Sequence, residues 1–333
     1  MGTISEGVKQ AIENCLKVRA DEKVVIITDK ETFGIGKALK DAAEKITDKI
    51  QFFVMEDFGP RPIDYPKEID NAISQADVSI YAAQGAKGEL QTFRMAMIES
   101  VDANPKLRHA HMIGITPEIM EDGMCSDYKE IQRISGLVYE KVKNAREIRV
   151  VTDKGGDFTG RFNPEIRWVV SDGDIAPDNW KNLPDGEVFT APESVNGTII
   201  FDGCLGDFFT EKYGSIEKTP VKIEVVDGRA IKESITCDNE ELLDEYLKYL
   251  FEIDENSNRV GEFAIGTNTG LTKLIYNLLQ DEKFPGIHIA FGNPYPTKTG
   301  AKWESKGHVD GIIIKPSIYV DGKIIMNKGE FCL

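Results

Sequence analysis

At 333 residues the chain exceeds what a single hydrophobic core usually supports, so two domains are expected. Its 41% hydrophobic and 29% charged residues fit an ordinary soluble globular protein, and the net charge of −16, from 56 acidic against 40 basic residues, excludes nucleic acid and membrane surfaces as favoured partners. The opening MGTISEGVKQAIENCL lacks the cationic-then-apolar pattern of a secretory signal, and no apolar run reaches the ~20 residues of a bilayer span, so a cytoplasmic location is expected.

In chain order, an amphipathic stretch over 4–18 precedes KVVIITD, and a helical pattern over 35–46 precedes QFFVMED. A helical DNAISQA then precedes VSIYAA, and a longer helical segment precedes AHMIGIT. This alternation predicts parallel strands joined by crossover helices, an α/β domain with a mainly parallel sheet over 1–180. Within it, TDKETFGIGKAL offers Gly34 and Gly36 but neither the third glycine nor the tight glycine turn of a dinucleotide fingerprint. His109 and His111 alternate ahead of an apolar run with no acid close by, and read as surface or core-edge residues rather than ligands. EIRVVTDKGGDFTGRF reads as a further strand with a Gly-rich bend, and the loop-rich SDGDIAPDNWKNLPDG (171–186) marks a domain junction.

Past the junction, VKIEVVDGRAIKESI and PSIYVDGKIIMNKG each set Asp-Gly between alternating apolar runs, the strongest short-range hairpin signal. Two helices are predicted among these strands, NEELLDEYLKYLFE with Asn239 as its N-cap, and GLTKLIYNLLQDEKF. The second domain, over 181–333, is therefore α+β with mainly antiparallel strands. Five cysteines, scattered and never spaced as C-x-x-C, read as buried or idle thiols.

The residues able to ligate a metal gather in this second half. His308 and Asp310 stand two apart in GHVDGIII, so a strand there points both to one face. His288 opens the apolar HIAFGNPYP, six residues after Glu282. Glu187 in PDGEVFTAP and Glu262 in VGEFAIGTN each stand directly ahead of a strand-like piece. Imidazole nitrogen and carboxylate oxygen bind zinc, cobalt, manganese or iron, and a carboxylate can bridge two ions where a histidine cannot. Two histidines and three acids would thus supply a dinuclear centre with an open water position. Each acid taken alone also reads as a solvated strand-edge glutamate, and side-chain chemistry by itself reaches only a candidate metal site in the C-terminal half.

The series GEVFTAP, GEFAIGTN, DEK followed by HIAFGNPYP, and HVD before an apolar strand resembles, in order and type, the aminopeptidase T family of metallo-aminopeptidases. The resemblance implies that Glu187, Glu262, His288, His308 and Asp310 hold two divalent metal ions (zinc, cobalt or manganese). It implies a peptide substrate with a free N-terminus, cleaved by a metal-activated water, and a homodimer. Tyr295, seven residues after His288, falls at the family's tyrosine position, where it would donate to the developing oxyanion or bind metal. Glu282 is a further candidate beside the ligands, with a merely solvated helix end as its alternative. More distantly the chain is similar to the ring-cleaving dihydroxypyridine dioxygenases, whose mononuclear iron needs two histidines and one aspartate. His288, His308 and Asp310 would serve for that chemistry, while Glu187 and Glu262 would be superfluous. A third reading is a non-catalytic binding protein stabilised by a structural metal.

Overall fold

The four apolar runs of the N-terminal half become neighbours in one sheet of the computed structural model, which describes residues 2–333. Strand order is Ile50–Val54, Val24–Thr28, Val78–Ala83, Arg108–Ile113 and Lys181–Asn182, and every pairing is parallel. The Val24–Thr28 and Val78–Ala83 strands are buried at every position, as expected where helices cover both faces of a parallel sheet. These strands belong to a unit made of Met1–Lys129 and Gly173–Asp185. Its first helix, Ile4–Lys9, starts at a Thr3–Glu6 capping box and continues as one π-helical segment, Gln10–Cys15. His109 and His111 are not at the surface. Both are buried in the Arg108–Ile113 strand, where His109 Nδ1 lies 2.7 Å from Ser79 Oγ and His111 stacks on Tyr81. Burial pushes the His109 pKa down to about 3, so it is a neutral core histidine.

The other unit, Glu130–Asp172 with Gly186–Leu333, holds two antiparallel sheets. In the larger, of eight strands, EIRVVTDKGGDFTGRF supplies a pair, Glu147–Val151 and Asp157–Arg161, rather than one bent strand. Both Asp-Gly hairpins form here. Asp227 and Gly228 have φ of 49° and 77°, and Asp321 and Gly322 have 46° and 79°, the two successive left-handed residues that a type I′ turn requires. The Glu240–Glu252 helix is capped by Asn239 Oδ1, which accepts the Leu242 N–H at 3.1 Å. The second predicted helix shortens to Leu278–Asp281. Before it, the buried Asp281 carboxylate accepts the N–H groups of Ile275 and Tyr276 at 2.9 and 2.8 Å, and Tyr276 takes a left-handed φ of 59°, so the backbone there is satisfied without helix.

The smaller sheet positions the candidate site. Its order is His308–Ile313, Gly286–Gly292, Val260–Gly266, Glu187–Thr190 and Val169–Ser171. Register pairs Glu262 with Ala290 and Ala290 with Asp310, Gly292 with His308, Ala264 with His288, and Gly266 with Glu187. Directly paired residues in an antiparallel sheet share a face, and so do residues two apart. Glu187, Glu262, His288, His308 and Asp310 therefore all project from one face. The other face carries Val188, Phe263, Ile265, Ile287, Ile289, Phe291, Val309 and Ile313, all part of the unit's hydrophobic core. No helix among the described residues is long and apolar enough to cross a membrane.

Gly266, between Glu187 and Gly286 in this register, has no room for a side chain: a Cβ there would lie 2.0 Å from the Phe284 carbonyl oxygen. Gly266→Ala is expected to cost about 1–3 kcal/mol through forced backbone displacement, measured as a lowered denaturation midpoint in urea. An unchanged midpoint would refute the close packing.

Candidate metal centre

All five side chains on that face converge. His288 Nε2 lies 3.3 Å from Glu187 Oε2 and 3.6 Å from Glu262 Oε1. His308 Nε2 lies 3.5 Å from Glu262 Oε2 and 3.4 Å from Asp310 Oδ2. Glu282, from the turn before the His288 strand, joins them. Three groups each bring donor atoms within 4.8 Å of one another: Glu187, Glu262 and His288; Glu262, His308 and Asp310; and Glu282, His288 and Asp310. Glu262 is common to the first two and offers a different oxygen to each histidine.

The surroundings fix these groups. His308 Nδ1 donates to the Asn293 carbonyl at 3.0 Å, which leaves Nε2 to face the carboxylates. The Tyr249 hydroxyl accepts the His308 N–H at 3.0 Å and donates to its carbonyl at 2.9 Å, pinning the start of that strand. Tyr295, with a left-handed φ of 50°, opens the short Pro296–Thr299 helix and places its ring 4.8 Å from that of His308 and edge-on to Phe189. Lys283, only 1% exposed, reaches Glu187 Oε1 at 2.7 Å and Glu282 Oε1 at 2.6 Å.

Burial opposes every charge here, and the neighbours decide each outcome. Glu187 is held at about 2 against its burial by Lys283 and His288. Burial raises Glu282 to about 8, with Glu187 and Asp310 adding to it and outweighing the nearby Lys283. His308 stands at about 9 despite burial because of Asp310 and Glu262, and His288 is likewise raised by Glu187 and Glu262. Asp310, also desolvated, is lowered by His308. The Tyr295 phenol is driven well above its ordinary range by burial and by Glu262 and Asp310, although the residue as a whole is 39% exposed.

The donor set fits divalent cations. His288 Nε2 is buried without a hydrogen bond of proper geometry, yet faces two carboxylates, which is the environment of a ligand nitrogen rather than of a packed core histidine. Glu282 belongs with the cluster and is no solvated helix end. The sequence reading overlooked Lys283, although DEK does place a cation between two acids and a buried strand. It could not have assigned the Asn293 backbone carbonyl.

Fold and donor set together define the class: an α/β unit accompanied by an antiparallel α+β unit that presents imidazoles and carboxylates suited to divalent ions. Residues 128–329 match the family model described as thermophilic metalloprotease (M29), and the chain belongs to that family. It is a metallopeptidase, in keeping with the resemblance to the aminopeptidase T family. Among solved structures, the chain is similar to 2,5-dihydroxypyridine dioxygenase from Pseudomonas putida KT2440, with a TM-score of 0.72, 17% identity, and coverage of 98% of this chain and 96% of that one. It is also similar to wild-type AmpT from Thermus thermophilus, with a TM-score of 0.69, 17% identity and 99% coverage of each chain. Comparison with curated proteins gives no match. At these identities the two structures establish the fold.

Removing the buried ammonium with Lys283→Met strands Glu187 beside Glu282, and the metal-free variant is expected to lose roughly 3 kcal/mol of stability at pH 7. Glu187 has a depressed folded-state pKa, so the stability it draws from Lys283 is full above its ordinary 4.5 and disappears as pH falls toward about 2. Urea denaturation of both proteins across that range should show the gap closing on acidification. A gap independent of pH would contradict the assignment.

Proposed function

We propose that the protein is an aminopeptidase that removes N-terminal residues from peptides with a water activated between two divalent ions. Glu262 carries this reading. Its two oxygens face two different histidines, at 3.6 and 3.5 Å, so one carboxylate serves two donor groups, as a bridging ligand does. Glu187 and His288 would complete one site, His308 and Asp310 the other. Bound zinc, cobalt or manganese would supply a water of lowered pKa and a Lewis acid toward the scissile carbonyl.

The chain's own groups do the rest. Glu282, beside the ligand cluster and Lys283, is placed to move a proton: as a carboxylate it would take one from the attacking water and return it to the leaving amine. Tyr295 keeps its phenolic proton and would donate it in a hydrogen bond to the oxyanion. The acidic cluster attracts the α-ammonium of the substrate. The homodimer implied by the family resemblance is part of the same proposal. A mononuclear iron site on His288, His308 and Asp310 leaves Glu187 and Glu262 without a task, although both lie within 3.6 Å of His288 Nε2.

Elemental analysis of the purified protein is expected to give about two zinc, cobalt or manganese ions per chain. Glu262→Ala should reduce hydrolysis of an aminoacyl-nitroanilide by more than the ~10–100-fold typical of losing an outer partner of a ligand. One iron per chain together with oxygen uptake on a hydroxypyridine would overturn the reading. Metal loading should also release at least one proton at pH 7, because His308, held at about 9, is protonated in the metal-free cluster and must lose that proton to ligate, with His288 raised in the same direction by Glu187 and Glu262. Calorimetry in buffers of different ionisation enthalpy reads that number, and no release would contradict the histidine assignment.

A further inference from the structure

A concavity of about 240 Å³ is lined by Arg259, Trp303, Lys302, Asn163, Glu165 and Glu193 among others. The Arg259 guanidinium lies 3.6 Å over the Trp303 ring, and among the described residues it has no carboxylate partner and no side-chain hydrogen bond. Partial burial and the neighbouring Arg229 pull its pKa below the ordinary value, as for a cation whose charge is not compensated. The buried Trp303 Nε1–H has no hydrogen-bond acceptor either. Glu165, Glu193 and Lys302 are exposed at its rim and the half-buried Asn163 uses Oδ1 to accept the Glu165 N–H, so the sheltered groups left without a partner, the Arg259 guanidinium and Trp303 Nε1–H, are both donors.

Three chain segments join this cavity to the cluster. Arg259 stands three residues before Glu262, Gly300 closes the short helix that Tyr295 opens, and Trp303 stands five residues before His308. The Arg259 carbonyl accepts the N–H of Gly292, the residue paired with His308. Arg259 and Glu262 are three residues apart across a β-bulge between Val260 and Glu262, at most ~10 Å along the chain, a span that two or three extended residues cover. The volume falls below the ~300–1,000 Å³ of a pocket for a whole ligand, and suits the end of one.

We propose that this cavity receives the C-terminal carboxylate of a short peptide, with Arg259, held over the Trp303 ring, supplying its guanidinium and Trp303 Nε1 and Lys302 adding donors. The enzyme is then selective for di- and tripeptides with a free carboxyl end. This rests on the aminopeptidase reading for its substrate, but the binding test does not.

The probe is an N-acetylated dipeptide, which an aminopeptidase cannot cleave, titrated calorimetrically as its free acid and as its C-terminal amide. The acid should bind at least about tenfold more tightly, the usual worth of a charge-assisted pair. Arg259→Met should remove that preference and Arg259→Lys retain part of it, with metal content and melting temperature confirming that both variants fold. In turnover, wild-type enzyme should show a lower KM for a tripeptide acid than for its amide, and Arg259→Met should equalise them. Equal binding of acid and amide by the wild type, or an acid preference surviving in Arg259→Met, overturns the proposal. If the acid preference is present while the metal-loaded protein hydrolyses no nitroanilide or peptide, the aminopeptidase reading fails and the carboxylate site stands.

Discussion

Four carboxyl groups, those of Glu187, Glu262, Glu282 and Asp310, share one sheltered patch, and that concentration of negative charge is the constraint on which the rest of this unit depends. An ionised carboxylate removed from water costs several kcal/mol unless it is paired. Lys283 supplies one cation there, lying between Glu187 and Glu282 at 2.7 and 2.6 Å. The remaining balance comes from His288 and His308, both driven toward their charged forms, and from Glu282, driven toward its neutral one. Divalent cations answer the same demand more fully. Capacity for metal and tolerance of this face in the fold are two expressions of one charge balance.

The patch exists because of register. Glu262, Asp310, His288 and His308 come from three adjacent strands, and alternation sends all of them to one side while Phe263, Ile289, Phe291 and Val309 fill the core on the other. A slip of one residue in the Val260–Gly266 strand would bury Glu262 in the core and expose Phe263, an exchange that the apolar layer forbids. Small residues share that face, Ala264, Ala290, Gly266 and Gly292, and at the two glycines a Cβ would meet the Phe284 and Gly307 carbonyl oxygens. The hydrophobic core therefore does more than stabilise this sheet: it selects which face the carboxylates occupy.

Features with a short physical period were legible in the sequence. The His308/Asp310 pair follows from strand alternation, the Asp-Gly hairpins from the need for two left-handed residues, and the Glu240–Glu252 helix from its cap and stripe. What failed depended on groups outside the local window. The apolar pattern over 270–284 suggests one helix, but the Asp281 side chain satisfies the backbone at 275 and 276 in another way. His109 and His111 look like edge residues until Ser79 and Tyr81 appear beside them from the next strand. The convergence of Glu187 with Asp310 passes through three cross-strand pairings that no local pattern encodes, and it came instead from the order of motifs. Lys283 has no local signature, because a lysine directly after two acids, as in DEKF, usually signals a solvated turn.

Two structures with this fold carry names as different as a dioxygenase and AmpT, so the fold leaves the chemistry open and the side chains must decide it. The deciding group is Glu262. Were a single ion held by His288, His308 and Asp310, Glu262 would remain a buried carboxylate facing both histidines with neither of its oxygens on the ion. Its two oxygens, each directed at a different histidine, would then be a cost without a return. In the two-ion centre proposed above the same carboxylate would be the shared ligand, and Glu187 would gain a metal partner in addition to Lys283. The division of the two Glu262 oxygens between His288 and His308, rather than the charge balance, is what supports the proposed two-ion centre.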